Sequence, residues 1–395
     1  MKTVKVFILM CALFVVFLPS CGNQEMPELP QTGMASSMSG TGISESEALG
    51  IAAKVVGDKL TRAGVNGLPK VEYILSNPTR SRLVSDTIAY VVNYPQDSGF
   101  AIIAADNSVY PVLAYSDNNN FSFENELSKK YFTDHIEAYI EGSAERAASV
   151  VSANGYVVNP VVDPQIVTQV HQQAPFNKYV VVEHPNCPAG CMPVAAALVL
   201  LHTQDDLRGY HDMSYVSCRM IRNAMKNIYF PSSQEGLSST QATNAYTYSE
   251  TVDYIAKLLY WLGKDGSLIY GPNGSGAPRG ALASMLFKAS QNEVTSMTNF
   301  NSSDVQSYLK NKYLVAVTGT DYINGLGGHA WVIDGLEYHL YIGSAVSPAR
   351  NVAYFHCDWG WGGISNGYYS GEVFATEKGE YAPEYMVAVK SSITI

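Results

Sequence analysis

Between residues 192 and 389 the spacing of apolar residues changes its period once. Helical intervals run over 192–203, 214–227 and 241–262; alternation runs over 314–318, 329–336, 340–342, 353–358, 368–370 and 385–389. A helix buries a stripe of its surface, whereas a strand in a half-covered sheet buries every second side chain. A run of helices followed by a run of strands predicts a helical layer against an antiparallel sheet, with a cleft where the two meet. Residues 166–395 therefore read as an α+β region of two subdomains. The apolar share, 47%, is ample for its core.

A smaller α+β unit is expected ahead of it, over residues 42–150. Ser44 with Glu47 forms a capping box opening a helix to about Arg62. Strands are expected at 71–75, 87–93, 100–104 and 112–115, and helical spacing returns over 124–150. Asn-Gly, Asn-Pro and Asp-Pro steps make 151–165 an exposed linker and processing region.

The N-terminus reads as an address. Lys2 and Lys5 precede an apolar run of 13 residues over 6–18, too short to span a bilayer comfortably and of signal-peptide length. Leu18-Pro19-Ser20-Cys21 resembles a bacterial lipobox. The expectation is a signal peptide over 1–20, lipidation of Cys21 and a flexible tether over 21–41. That places the protein outside the cytoplasm, anchored to a bacterial membrane, with the outer membrane or cell surface expected. A net charge of −10 with no basic block argues against nucleic acid as a partner. Beyond Cys11 and Cys21 only Cys187, Cys191, Cys218 and Cys357 remain, too few for a disulfide scaffold.

Cys191 is the best candidate nucleophile. Pro193 is tolerated only in a first helical turn, so the apolar run that follows puts Cys191 at a helix N-terminus, where unpaired N–H groups favour a thiolate. A thiol still requires a base. His329 follows Gly327 and Gly328 at the mouth of an alternating strand. Asp358 ends another strand and is expected to accept the ring N–H, with Trp359 shielding that bond. Gln172 and the Cys191 N–H are expected to hold an oxyanion. The glycine-rich stretch 271–280 reads as a cleft wall. Gly274, Ser275 and Gly276, with Gly328 and Trp361, are the expected substrate contacts. No cofactor or metal is expected: Cys187, Cys191 and His184 lack the spacing of a zinc site.

These segments together resemble the streptopain-like cysteine peptidases, a bacterial branch of the papain-like fold. The resemblance is carried, in order, by Gln172-Gln173-Ala174-Pro175-Phe176-Asn177, Cys187-Pro188, Gly190-Cys191 and Tyr270-Gly271. It continues through Gly274-Ser275-Gly276-Ala277, Gly328-His329-Ala330-Trp331-Val332-Ile333-Asp334-Gly335 and Asp358-Trp359-Gly360-Trp361-Gly362-Gly363. Residues 99–106 and 112–116 resemble that family's inhibitory propeptide. The resemblance implies a papain-like catalytic domain over 166–395 and an inhibitory propeptide over 42–150. It also implies peptide-bond hydrolysis in protein or peptide substrates by an endopeptidase made as an inactive precursor. The family usually has Asn where Asp358 stands, and an anionic partner there would raise the His329 pKa. The alternative is an impaired papain-like domain that binds peptides or a partner.

Overall fold

The computed structural model describes residues 42–57, 60, 64–77, 86–123, 126–144, 156–226, 249–321, 327–341, 350–371, 373, 374, 376, 378 and 381–393. The expected signal peptide, Cys21 and the expected tether lie outside the described residues.

Helix α1 (Glu45–Ala52) starts at the expected capping box. The Glu47 N–H donates to the Ser44 hydroxyl at 3.4 Å, and the Ser44 N–H donates to the Glu47 carboxylate at 2.8 Å. The helix then widens into a π-helical turn, Ala53–Gly57. Strands β1 (Lys70–Leu75), β2 (Thr87–Asn93), β3 (Phe100–Ala104) and β4 (Val112–Ser116) form an antiparallel meander. Every residue of β3 and β4 is buried, because α1 covers one face and α2 (Glu126–Ala144) lies on the other side.

The following segment differs from expectation. Residues 156–162 are not linker but strand β5 (Tyr156–Val162). The helical half comprises α3 (Val180–Glu183), α4 (Cys191–Thr203), α5 (Cys218–Met225), α6 (Ser249–Asp265) and α7 (Ala281–Ala289), with a small hairpin of β6 (Ile269–Gly271) and β7 (Gly274–Gly276). The sheet half contains β8 (Thr298–Asn299), α8 (Ser302–Lys310), β9 (Tyr313–Asp321), β10 (Gly328–Tyr341), β11 (Arg350–Asp358), β12 (Gly367–Ser370) and β13 (Tyr381–Lys390). The two strands expected over 329–342 are one strand, β10. It pairs with β9 over its first half and with β5 over its second, with a register shift at Ile333/Gly335 in its pairing with β11. Thus β5 replaces β9 as the partner of β10 over the second half of that strand. Two main-chain N–H groups just beyond β5, those of Gln165 and Ile166, donate to Asp334 Oδ2 at 2.8 and 2.7 Å.

One sheet runs through both regions in the order β1-β2-β3-β4-β12-β11-β10-β9-β13-β8. The join is β4 against β12, with Tyr115 opposite Tyr368 and Ala114 opposite Tyr369. Gly367 makes this join possible: a Cβ there would lie 2.4 Å from the Tyr115 carbonyl oxygen. The cores also cross the boundary. Phe100, Phe121 and Phe132 share a cluster with Trp331, Phe355, Trp359 and Tyr369. Val55, Val92 and Ile103 share another with Tyr341, Tyr354 and Tyr368. The third core is the helical half, with α4 at its centre.

Candidate active site

Gly190 turns the chain into α4 with φ 95°, a backbone region L side chains rarely adopt. A Cβ there would also meet Ser275 Oγ at 2.6 Å. Cys191 is the first residue of the helix and Pro193 lies in its first turn. From Val194 to Thr203 every side chain is buried, so packing fixes where the helix begins. Cys191 remains half-buried, on the wall of a cavity of about 910 Å³. Gly274, Ser275, Gly276, Gly328 and His329 line the same cavity.

Helix α4 packs against β10, the strand that carries His329 and Ala330. Burial is the larger influence on the Cys191 thiol and pushes its pKa up, opposed by the backbone N–H groups of Ala330, Met192 and Cys191 itself. The expected donors are there, but in this state they do not produce a thiolate.

His329 is buried, and its Nε2 donates to the Trp359 carbonyl oxygen at 2.8 Å. A carbonyl only accepts, which assigns the ring proton to Nε2 and leaves the lone pair on Nδ1. Trp361 and Tyr381 lie 4.8 and 5.1 Å from the ring, centroid to centroid. Burial lowers the His329 pKa to about 4; the Trp359 carbonyl opposes this and the Lys378 charge adds to it. At neutral pH both the thiol and the imidazole are uncharged.

The expectation for Asp358 is corrected. Its carboxylate does not hold His329: Oδ1 accepts the Gly360 N–H at 2.9 Å, and His329 bonds instead to the Trp359 carbonyl. The register explains this. Asp358 pairs with Val332, three residues along β10 from His329, and the chain then turns so that the next carbonyl reaches the ring. The raised histidine pKa expected from an anionic partner is absent for the same reason. Burial instead raises the Asp358 pKa to about 7, with Asp334 adding to it. Trp359 is fully buried, and its main chain, not only its ring, serves the histidine. The glycines of Trp359-Gly360-Trp361-Gly362-Gly363 were the available signal. Gly360, Gly362 and Gly363 all have positive φ, which permits the tight turn behind that carbonyl.

Gln172 is tied beside the nucleophile by its main chain, since the Ala189 N–H donates to its carbonyl at 2.7 Å. Its side chain lines an adjoining cavity of about 370 Å³ with His171 and Trp361, not the cavity of Cys191. Pro272, Asn273 and Gly274 form the shared wall of the two. Cys187, Cys191, Cys218 and Cys357 are all free thiols. His184 stacks on Tyr270 at 4.7 Å, and among the described residues no group of three or more His, Cys, Asp or Glu side chains could hold a metal.

Sequence reasoning missed the connection between the N-terminal unit and this site. Ser116 Oγ donates to the Asn366 carbonyl at 2.6 Å, and Asn119 Nδ2 donates to the Gly363 carbonyl at 2.9 Å. Asn366 Oδ1 in turn accepts the Trp359 N–H at 3.0 Å. The end of β4 and the residues after it thus grip the 363–366 segment, whose Asn366 holds Trp359, the residue whose carbonyl holds His329.

A helix-borne cysteine facing a strand-borne histidine, under a second unit bonded to the loop behind that histidine, defines a class: cysteine peptidases made as precursors with a propeptide. The chain belongs to the Peptidase C10 family, whose sequence profile matches residues 170–369; the profile of the Spi protease inhibitor matches residues 41–141. Streptopain from Streptococcus pyogenes is 23% identical over 316 residues, covering 72% of this chain and 74% of that one. A solved fragment of Prevotella intermedia prointerpain A, bearing a Cys→Ala change, is 20% identical with a TM-score of 0.49, over 83% of this chain and 99% of its own.

Proposed function

We propose that this protein is the exported, lipid-anchored precursor of an endopeptidase that cuts proteins through Cys191 and His329. The observation that carries the reading is that Cys191, at the N-terminus of α4, and His329, near the start of β10, line one cavity. In the reaction, the thiol proton passes to His329 Nδ1 as the sulfur attacks the scissile carbonyl carbon. The Cys191 N–H donates to the oxyanion, joined by the Gln172 side-chain amide once it turns from the adjoining cavity. His329 then gives its proton to the leaving amine as the C–N bond breaks. Water, losing a proton to His329, hydrolyses the thioester and restores the thiol. Trp359 fixes the ring tautomer throughout through its carbonyl.

Latency follows from the same residues. Ser116 and Asn119 of the N-terminal unit bond to the 363–366 loop, which holds the Trp359 N–H through Asn366 while the Trp359 carbonyl holds His329. Release of the N-terminal unit frees the loop. The lipid on Cys21 and the 21–41 tether would keep the uncut precursor at a membrane, and cutting that releases the N-terminal unit would also free the peptidase from its anchor. Two experiments test this reading. Casein should be cut by wild type after limited proteolysis and not by Cys191→Ala. Radiolabelled lipid should enter the wild-type chain and not Cys21→Ser. Casein cleavage by Cys191→Ala would refute the nucleophile; equal lipid label in Cys21→Ser would refute the anchor.

A further inference from the structure

The cleft contains a carboxylate that neither the catalytic steps nor the packing of the core requires. Strand β13 carries a bulge: Pro383 pairs with Gly319 and Tyr385 with Thr318, leaving Glu384 between them without a partner on β9. Bulges of this kind re-aim a side chain and recur beside active sites. Here the extra residue is exposed and lines the cavity that holds Cys191 and His329.

Its position relative to the chemistry follows from the register. His329 pairs with Gly319, and Gly319 pairs with Pro383, so the three lie in one row across the sheet. Two strand spacings of about 4.8 Å put the start of the bulge about 10 Å from His329, the span of about three residues of an extended peptide. Glu384 Oε1 accepts the Thr320 hydroxyl at 2.9 Å, and its carbonyl accepts the Phe300 N–H at 2.8 Å, which fixes the residue at both ends. Among the described residues no Lys, Arg or His lies within ion-pair distance of its carboxylate. The cavity's other charged side chain, Arg279, lies over the Tyr385 ring at 4.4 Å.

We infer that Glu384 is a specificity residue that selects substrates bearing Lys or Arg within three residues of the scissile bond. The inference rests on the peptidase reading of this site. A cationic side chain laid along the β9–β13 wall would supply the counter-charge that Glu384 lacks and make a charge-assisted hydrogen bond to the carboxylate. Residues 166–395 carry 14 Lys and Arg against 18 Asp and Glu, and this net charge of −4 would favour the approach of basic segments as well.

The test uses the full chain activated by limited proteolysis and a set of fluorogenic peptides. These differ only in carrying Lys, Leu or Glu at each of three positions on either side of the cleaved bond. At one position kcat/KM should favour Lys over Leu by about tenfold, the scale of one charge-assisted hydrogen bond. Glu384→Gln should bring that ratio close to one, and Glu384→Lys should invert it in favour of Glu. Because the ratio is taken within one variant, the Leu peptide reports whether that variant is folded and active. Cleavage with no Lys preference at any position, or a preference that persists in Glu384→Gln, would overturn the inference and leave the peptidase reading intact. A preference for Glu that Arg279→Ala abolishes would overturn it in favour of the opposite charge. No cleavage of any peptide by activated wild type would overturn the peptidase reading, and this inference with it.

Discussion

Substituting Gly367 by Ala separates the precursor from the released enzyme. The three heavy atoms nearest an added methyl are the Tyr115 oxygen at 2.4 Å, Ser116 Cβ at 3.0 Å and the Tyr115 carbonyl carbon at 3.1 Å, all from the N-terminal unit. Nothing from the catalytic half is among them, so the released enzyme would carry the methyl in space that β4 has left. In the precursor, β4 must move off β12. Overpacking of this kind costs about 1–3 kcal/mol. About 2 kcal/mol would raise the undocked fraction roughly 30-fold, at 1.4 kcal/mol per factor of ten. The assay is the rate at which iodoacetamide labels Cys191 in uncut chain at low reagent concentration, with the labelled residue identified by mass spectrometry. If docking of β4 suppresses the thiol, Gly367→Ala should label about 30-fold faster than wild type before cutting, and at the wild-type rate afterwards. An unchanged rate in uncut chain would refute the idea that the β4–β12 join controls the site.

Other expectations follow from the charged groups. Asp358→Asn should keep the Gly360 bond and leave the basic limb of the activity profile in place, because Asp358 does not face His329. The folded Asp358 pKa, about 7, lies above its unfolded value, so ionisation destabilises the fold progressively from about pH 4 to 7. The melting temperature of Asp358→Asn should therefore rise relative to wild type across that interval; a constant difference would contradict the buried carboxyl. His356 faces Asp334 Oδ1 at 2.6 Å, which raises its pKa against the effect of burial. A raised histidine contributes stability below its unfolded pKa and loses it as pH rises through the folded value. The destabilisation caused by His356→Gln should accordingly shrink above neutral pH, as thermal melts from pH 5 to 9 would show. Ser116→Ala with Asn119→Ala removes the two hydrogen bonds to the 363–366 loop, about 1 kcal/mol each, along with the local Ser116–Asn118 bonds, and should raise casein cleavage by uncut chain; unchanged latency would mean that the loop contacts are passive.

What could be read from the sequence was set by how local each signal is. The Ser44 capping box, Pro193 behind Cys191 and the alternation through β9, β11 and β13 are written in neighbouring residues, and the structure contains those elements. Helices α7 and α8 are short and mixed in character, so their periodicity did not stand out. Strand β5 was read as linker because Asn159 and Pro160 are turn formers; its pairing with β10 is a contact across some 180 residues that no local pattern encodes. Cys191 and His329 were legible because their chemistry depends on residue type. The error at Asp358 has a physical origin. Sequence shows side chains, and the group that holds His329 is a main-chain carbonyl, which every residue has. Its recognition needed the turn geometry supplied by Gly360, Gly362 and Gly363. The bulge that presents Glu384 is equally invisible before the strands are paired.

The central claim is that Cys191 and His329 form a peptidase site that is latent until the N-terminal unit is released. The most direct measurement treats the chain with a sub-stoichiometric peptidyl chloromethyl ketone before and after limited proteolysis and locates the adduct by mass spectrometry. The account expects almost no adduct in uncut chain, and after cutting an adduct at Cys191 alone that is lost in His329→Ala. Equal labelling before and after cutting, an adduct at Cys187, Cys218 or Cys357, or undiminished labelling in His329→Ala would contradict it.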